Sequence, residues 1–235
     1  MWTRFELKTR AREAFRRNYW SCVAVAFVIA IITAITSGSA GQNSQESLES
    51  IEGTGSIEEL AILLSVLIIT TITVVIAAII KIVVGNALLV GGSRFFVVNQ
   101  IEQARAGELG FGFKCGSFGN ILVVMFLRDL FITLWALLLI VPGVIKHYEY
   151  LMVPYILAEN PQMNRKEVFQ ISKQMMKGQK MNTFVLDMSF FGWKLLAALT
   201  CGILGIFYVE PYYQATMAEL YTANKMLAYQ NGYIR

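Results

Sequence analysis

Lys146, His147 and Glu149 place an ammonium, an imidazole and a carboxylate within four residues, a set from which general acid–base or nucleophilic chemistry can be assembled. His147 is the only histidine of the chain. Neither a GxSxG elbow nor an HExxH helix accompanies it, so the three residues read as a polar joint beside the Pro142-Gly143 break, with that pair as its hinge. A second set, Arg128, Asp129, Asp187 and Glu210, is scattered through otherwise apolar segments. At a bilayer centre each would cost about 2.5 to 3.5 kcal/mol, so these groups must face protein, water or one another. The chemistry open to such a set is a proton or ion path, or a static network that locks helix packing. Without an inverted repeat between the two halves of the chain, the static network is the better reading. Arg128 and Asp129 are adjacent and point about 100° apart on a helix, so the expected partner of Arg128 is Asp187 on another segment.

The remaining candidates for chemistry are weaker. Cys22, Cys115 and Cys201 are far apart and spell neither a disulfide framework nor a CxxC metal site, so all three read as packing residues. Gly107, Gly110, Gly112 and Gly116 form no GxGxxG or Walker pattern and read as turns. No catalytic, cofactor-binding or metal-ligating residue is assigned, no cofactor is expected, and the protein is expected not to be an enzyme.

Composition sets the frame for these residues. Over 235 residues, 56% are hydrophobic and 15% charged, with a mean hydropathy of +0.54, outside the usual soluble range. The net charge of +4 is carried in particular loops and comes with no nucleic-acid motif, so it reads as a topology signal. The expected class is all-α: a polytopic helical membrane protein with about six membrane segments and basic amphipathic interfacial helices, as one integral domain over residues 1–235.

Taken in order, residues 1–18 form a basic helix with Leu7, Ala11, Ala14, Phe15 and Asn18 on one face, expected at the cytoplasmic membrane surface near anionic lipid. Tyr19 to Thr36 is the first span; a cleavable signal peptide is its rival reading, disfavoured by the long basic leader. Residues 37–59 carry five glutamates and no Lys or Arg, which marks an extracytoplasmic acidic loop. Leu60 to Ile80 is the second span, with Gly85, Gly91 and Gly92 as packing positions and Ser93 to Ser117 as a cytoplasmic loop. Phe118 to Val141 is the third span. Val144 to Ala158 returns, and at about 15 residues it is short enough to be broken or re-entrant.

Residues 160–180 read as a cytoplasmic amphipathic helix capped by Asn164 and Glu167. Val168, Phe169, Ile171, Met175 and Met176 make its apolar arc, and Lys166, Lys173 and Lys177 make a candidate surface for anionic lipid or a partner. Ser172 falls within the apolar arc, where it either bonds back to the Val168 carbonyl, the favoured reading, or meets a polar group in the transmembrane core. Met181 to Gly202 and Ile203 to about Lys225 complete the six segments, the last kinked at Pro211. The inner segments of this scheme hold 17 basic residues and the outer turns only Lys146 and Lys194, which places both termini in the cytoplasm.

With these motifs in place, the chain resembles the domain of unknown function 975 family of Gram-positive bacterial integral membrane proteins. The resemblance runs from the basic leader to near Leu220. It is carried by MFLRDLFITLWALLLIVPGVIKHYEYLMVPYILAENP, VFQISKQMMKG, FVLDMSFFGWKLL and GIFYVEPYYQATMAELY, in that order. A departure is Gln179-Lys180-Met181, where the family is expected to place an aromatic after the lysine. The resemblance implies a polytopic membrane protein and supplies no activity; a distant likeness to the membrane domain of some glycerophosphodiester phosphodiesterases carries over no catalytic residue. The expected role is association with a membrane partner or lipid, the alternatives being a small transporter or channel component using the buried charges and, weakest, an enzyme acting on lipid. The lipid bilayer is the expected partner, with anionic lipids or another membrane protein as further candidates and no nucleic acid; the oligomeric state is left open.

Overall fold

A computed structural model describes residues 2–38, 57–200 and 202–232, and among these every regular element is helical. In chain order they are α1 (Arg4–Arg17), α2 (Tyr19–Gly38), α3 (Ile57–Ile80), α4 (Asn86–Ile101), α5 (Phe111–Lys114), α6 (Phe118–Leu138), α7 (Ile140–Glu149), α8 (Val153–Glu159), α9 (Arg165–Met175), α10 (Lys180–Met188), α11 (Phe191–Leu199) and α12 (Glu210–Gln230). A π-helical turn, Lys81–Gly85, joins α3 to α4 without a break, and a second, Gly205–Val209, leads into α12. The acidic stretch expected outside the membrane falls largely in residues 39–56 and lies outside the described residues, as does Cys201.

The helix α4 is the post around which the buried layer is assembled. Asn99 donates from Nδ2 to the Ala14 carbonyl at 3.0 Å and accepts from Asn18 Nδ2 at 2.8 Å, Arg94 donates to the Ala158 carbonyl at 2.9 Å, and Thr222 donates to Gln100 at 2.8 Å. These bonds tie α4 to α1, the α1–α2 junction, α8 and α12. Ser93 to Ile101, expected as loop, is therefore helix. The irregular segment starts at residue 102 and folds back along α4, because Gly91 and Gly112 let two backbones meet where a Cβ would lie 2.1 Å from the Leu109 carbonyl oxygen and 2.4 Å from that of Ala87.

The periodic face of α1 is realised, with Leu7, Ala11, Ala14 and Phe15 all buried, but protein covers it. Trp2 donates to Asn224 at 2.8 Å, Tyr212 donates to the Lys8 carbonyl at 3.2 Å, and the Phe15 and Tyr208 rings meet at 5.9 Å, so α1 runs antiparallel along α12. The apolar floor expected to lie on lipid is thus spent on α12 and α4, which leaves the basic side outward. Lys8 is drawn partly inward: its ammonium lies 4.2 Å over the Phe190 ring, and burial, then Arg4 and Arg12, lower its pKa.

Two helical stretches have the length and apolar composition to cross a bilayer, Leu60–Ile101 and Phe118–Leu138. The other expected segments take different forms. The return Val144 to Ala158 is broken at Tyr150–Met152, and Val153 to Ala158 are all buried in the protein body. Met181 to Gly202 is broken between α10 and α11, and α12 buries Tyr212, Met217, Leu220 and Tyr221 against its neighbours. Large exposed apolar residues concentrate elsewhere, over Leu60–Val83, Phe126–Ile145 and Met181–Phe207.

Candidate functional site

The α6–α7 pair carries the polar joint, and its turn is not where the sequence places it. Leu139 is the extended residue between the helices, with φ −158° and ψ 138°, whereas Pro142 sits within the first turn of α7. Proline is tolerated there because the first N–H groups of a helix have no intrahelical acceptor. Gly143 is no hinge either. It is buried against Ala136, where a Cβ would come within 2.6 Å of the Ala136 Cα, so its role is to let α6 and α7 touch.

Beyond this contact the joint is a tied ionic cluster. Glu149 is 6% exposed and takes Lys146 on one oxygen at 2.6 Å and Lys180 on the other at 2.5 Å. The Glu149 carbonyl accepts from the fully buried Ser172 at 2.7 Å, so one residue joins α7 to both α9 and α10. The expected Ser172 bond to Val168 is therefore replaced: α7 packs close enough to offer its frayed last-turn carbonyl, which no continuing helix claims. His147 is exposed and meets the Tyr148 ring edge-on at 5.5 Å.

The pairing expected between Arg128 and Asp187 is corrected by the helix order. Arg128 meets its neighbour Asp129 at 3.5 Å, and among the described residues no ion pair joins it to Asp187. The physical reason is that α10 packs on α7, which stands between it and α6. Asp187 instead accepts from Tyr148 at 3.0 Å and faces Lys194 at 3.8 Å, while Glu210 accepts from Gln214 at 2.8 Å. Arg128 Nε and Asp187 Oδ1 are among the four buried side-chain polar atoms without a hydrogen-bond partner among the described residues, Asp187 Oδ1 having only the 3.8 Å ion pair with Lys194. The four residues still share one region. His147 lies within electrostatic reach of Arg128, Asp129 and Asp187, and Tyr155 within reach of Arg128 and Glu210.

Tyr148, Tyr155 and Lys194 complete this belt: Tyr148 is a donor to Asp187, and Tyr155 is buried and stacked on Tyr221 at 5.3 Å. Lys194 was not singled out from the sequence, and it meets Asp187 across the break between α10 and α11. The arrangement offers local acid–base pairs and tyrosine hydroxyls; no group of three or more potential metal ligands occurs among the described residues.

Asn164 caps α9 by accepting from the Lys166 N–H at 3.0 Å, Val168, Met175 and Met176 are buried, and Lys166, Lys173 and Lys177 are exposed. Beside α9, Glu159, Met163, Glu167, Tyr221 and Lys225 line a cavity of about 120 Å³, in which Lys225 pairs with Glu159.

The features above define an all-helical protein with an ionic belt, apolar hairpins and one long exposed apolar helix. Residues 137–227, from the end of α6 into α12, match the model of the family described as Protein of unknown function (DUF975). The matched stretch contains Lys146, His147, Glu149, Asp187, Lys194 and Glu210; Arg128 and α1 to α5 precede it. No curated protein and no solved structure matches the chain.

Proposed function

We propose that the chain is an integral protein of the bacterial cell membrane, non-enzymatic, that works by associating with a membrane partner or with anionic lipid through its basic cytoplasmic face. In this reading residues 1–235 act as one membrane domain. Six apolar segments enter the bilayer, at 19–38, 57–80, 118–138, 140–149, 180–199 and 203–209, and both termini are cytoplasmic. The observation that carries it is the Leu60–Ile101 helix, whose most apolar 18-residue window has none of its residues buried by protein. Its uncharged part, Leu60 to Ile80, is 21 residues, about 31 Å of helix against about 30 Å of hydrocarbon. Exposed aliphatic surface around a whole helix has no place in water and is solvated by acyl chains.

The ionic belt then holds the helices in register, and the outward basic residues face the headgroups. A polybasic face near an anionic leaflet contributes about 1 kcal/mol per cation. Changing Lys166, Lys173 and Lys177 together to Gln is expected to cut binding of the detergent-purified protein to anionic vesicles or its co-purifying partner by at least tenfold. Unchanged association would reject the assigned surface.

A further inference from the structure

Three of the long uncharged runs that follow α2 are used in two different ways. Leu60 to Ile80 runs straight through α3. The run Leu130 to Ile145, 16 residues between Asp129 and Lys146, and the run Leu195 to Val209, 15 residues between Lys194 and Glu210, are each folded in half. In the first, Ala136 packs on Gly143 and the Lys146 ammonium lies 5.5 Å over the Trp135 ring, so the two legs are antiparallel about Leu139. In the second, a Cβ on Gly205 would meet that of Ala197 at 3.4 Å, and the Trp193 and Tyr208 rings lie 5.6 Å apart, so the legs on either side of Thr200 and Gly202 are antiparallel. Each uncharged leg is about eight residues, or about 12 Å, against about 15 Å for half of the hydrocarbon layer.

The apices are built for hydrocarbon rather than for water. Leu137 and Ile140 are 85% and 80% exposed, Leu199 is 76% and Ile203 63%. Part of the backbone there is paired internally, as lipid favours: Leu139 N–H donates to the Trp135 carbonyl at 3.1 Å and Gly143 N–H to that of Leu139 at 3.2 Å. Pro142 removes one of the donors that the start of α7 would otherwise leave open. At the second apex Gly202 N–H donates to Ala197 at 2.9 Å, Ile203 N–H to Thr200 at 3.1 Å, and the Thr200 hydroxyl to Ala197 at 3.0 Å. The charges that end the legs are tied to the protein body, Asp187 facing Lys194 and Glu149 holding Lys146 and Lys180. If either hairpin crossed the whole bilayer, Lys146 or Lys194 would stand about 10 Å inside the far boundary, at several kcal/mol of avoidable cost.

We infer that the hairpin tips 130–145 and 195–209 are re-entrant wedges seated in the acyl chains of the cytoplasmic leaflet alone, while α2 and α3 cross. The inference rests on the membrane reading above, and its test separates the two. Intact cells are treated with a membrane-impermeant maleimide, and labelled sites are identified by mass spectrometry. Native Cys201 and a Leu139→Cys variant are expected to stay unlabelled from outside, whereas Ser47→Cys, in the acidic stretch, is labelled. A nitroxide on Leu139→Cys in purified proteoliposomes is expected to collide with oxygen far more than with a water-soluble nickel chelate, at a depth near the bilayer centre. Outside labelling of Cys201 or Leu139→Cys comparable to Ser47→Cys, or a nitroxide depth at the far headgroups, overturns the wedges and leaves the membrane reading standing. Failure of Ser47→Cys to label from outside overturns the proposed topology and the wedges with it.

Discussion

Gly91→Ala is expected to destabilise the detergent-solubilised protein by about 3 kcal/mol or more, read as a fall in its thermal or denaturant unfolding midpoint. The added Cβ would lie 2.1 Å from a backbone oxygen, that of Leu109, and 2.6 Å from its carbon, so no side-chain rotation relieves the overlap. Either the 3₁₀ turn Ala106–Gly110 must leave α4 or α4 must bend. Helix propensity alone would favour alanine by about 0.5 to 1 kcal/mol, which makes the expected sign a test of the close approach and not of glycine in general. Gly119, near the start of α6, is the control: nothing lies within 4 Å of a Cβ there, so Gly119→Ala is expected to be neutral or slightly stabilising. Equal effects at the two sites would contradict the packing described for the 102–117 segment.

Glu149→Ala is expected to cost about 2 to 3 kcal/mol, since it leaves two ammonium groups facing a site built for a carboxylate. The figure stays at the lower end of buried-pair losses because Lys146 and Lys180 keep 21% and 32% of their side chains exposed. Glu149→Gln should lose less, as the amide still accepts hydrogen bonds through one oxygen. Adding Lys146→Met and Lys180→Met to Glu149→Ala should recover part of the loss, because the penalty lies in unpaired charge rather than in missing attraction. A neutral Glu149→Ala would show that the cluster is not what joins α7 to α10.

These two residues also mark what could and could not be read from sequence. Faces set by helical period were legible: Leu7, Ala11, Ala14 and Phe15 on α1, and Val168, Met175 and Met176 on α9, are buried as their spacing requires. What covers those faces was not legible, since a period names the apolar side of a helix and not its neighbour. The floor of α1 was therefore assigned to lipid and is found against α12. Pro142-Gly143 was legible as a helix boundary but misplaced by three residues, because the extended residue, Leu139, carries no turn signature of its own. Glu149 stood out as a charge among apolar residues. Its partner Lys180, 31 positions away, depends on the order in which α7 and α10 pack. The Arg128–Asp187 pairing failed for the same reason. Both residues needed partners, as their types imply, yet α7 intervenes, and Tyr148 on that helix takes Asp187.

The folded hairpins extend this lesson to the membrane. A window of apolar residues reads alike whether it is straight or doubled back, and contacts between the legs, such as Ala136 with Gly143 and Trp193 with Tyr208, separate the two cases. Counting apolar runs therefore yields six segments, while the depth each reaches is a property of the fold.

The most direct test of the account is where the chain resides after its host cells are broken. Membranes washed with alkaline carbonate are expected to retain it, and only a mild detergent should release it, because the exposed Leu60 to Val83 surface has no water-soluble alternative. Recovery of the folded protein in the carbonate supernatant, free of lipid and detergent, would contradict the membrane reading.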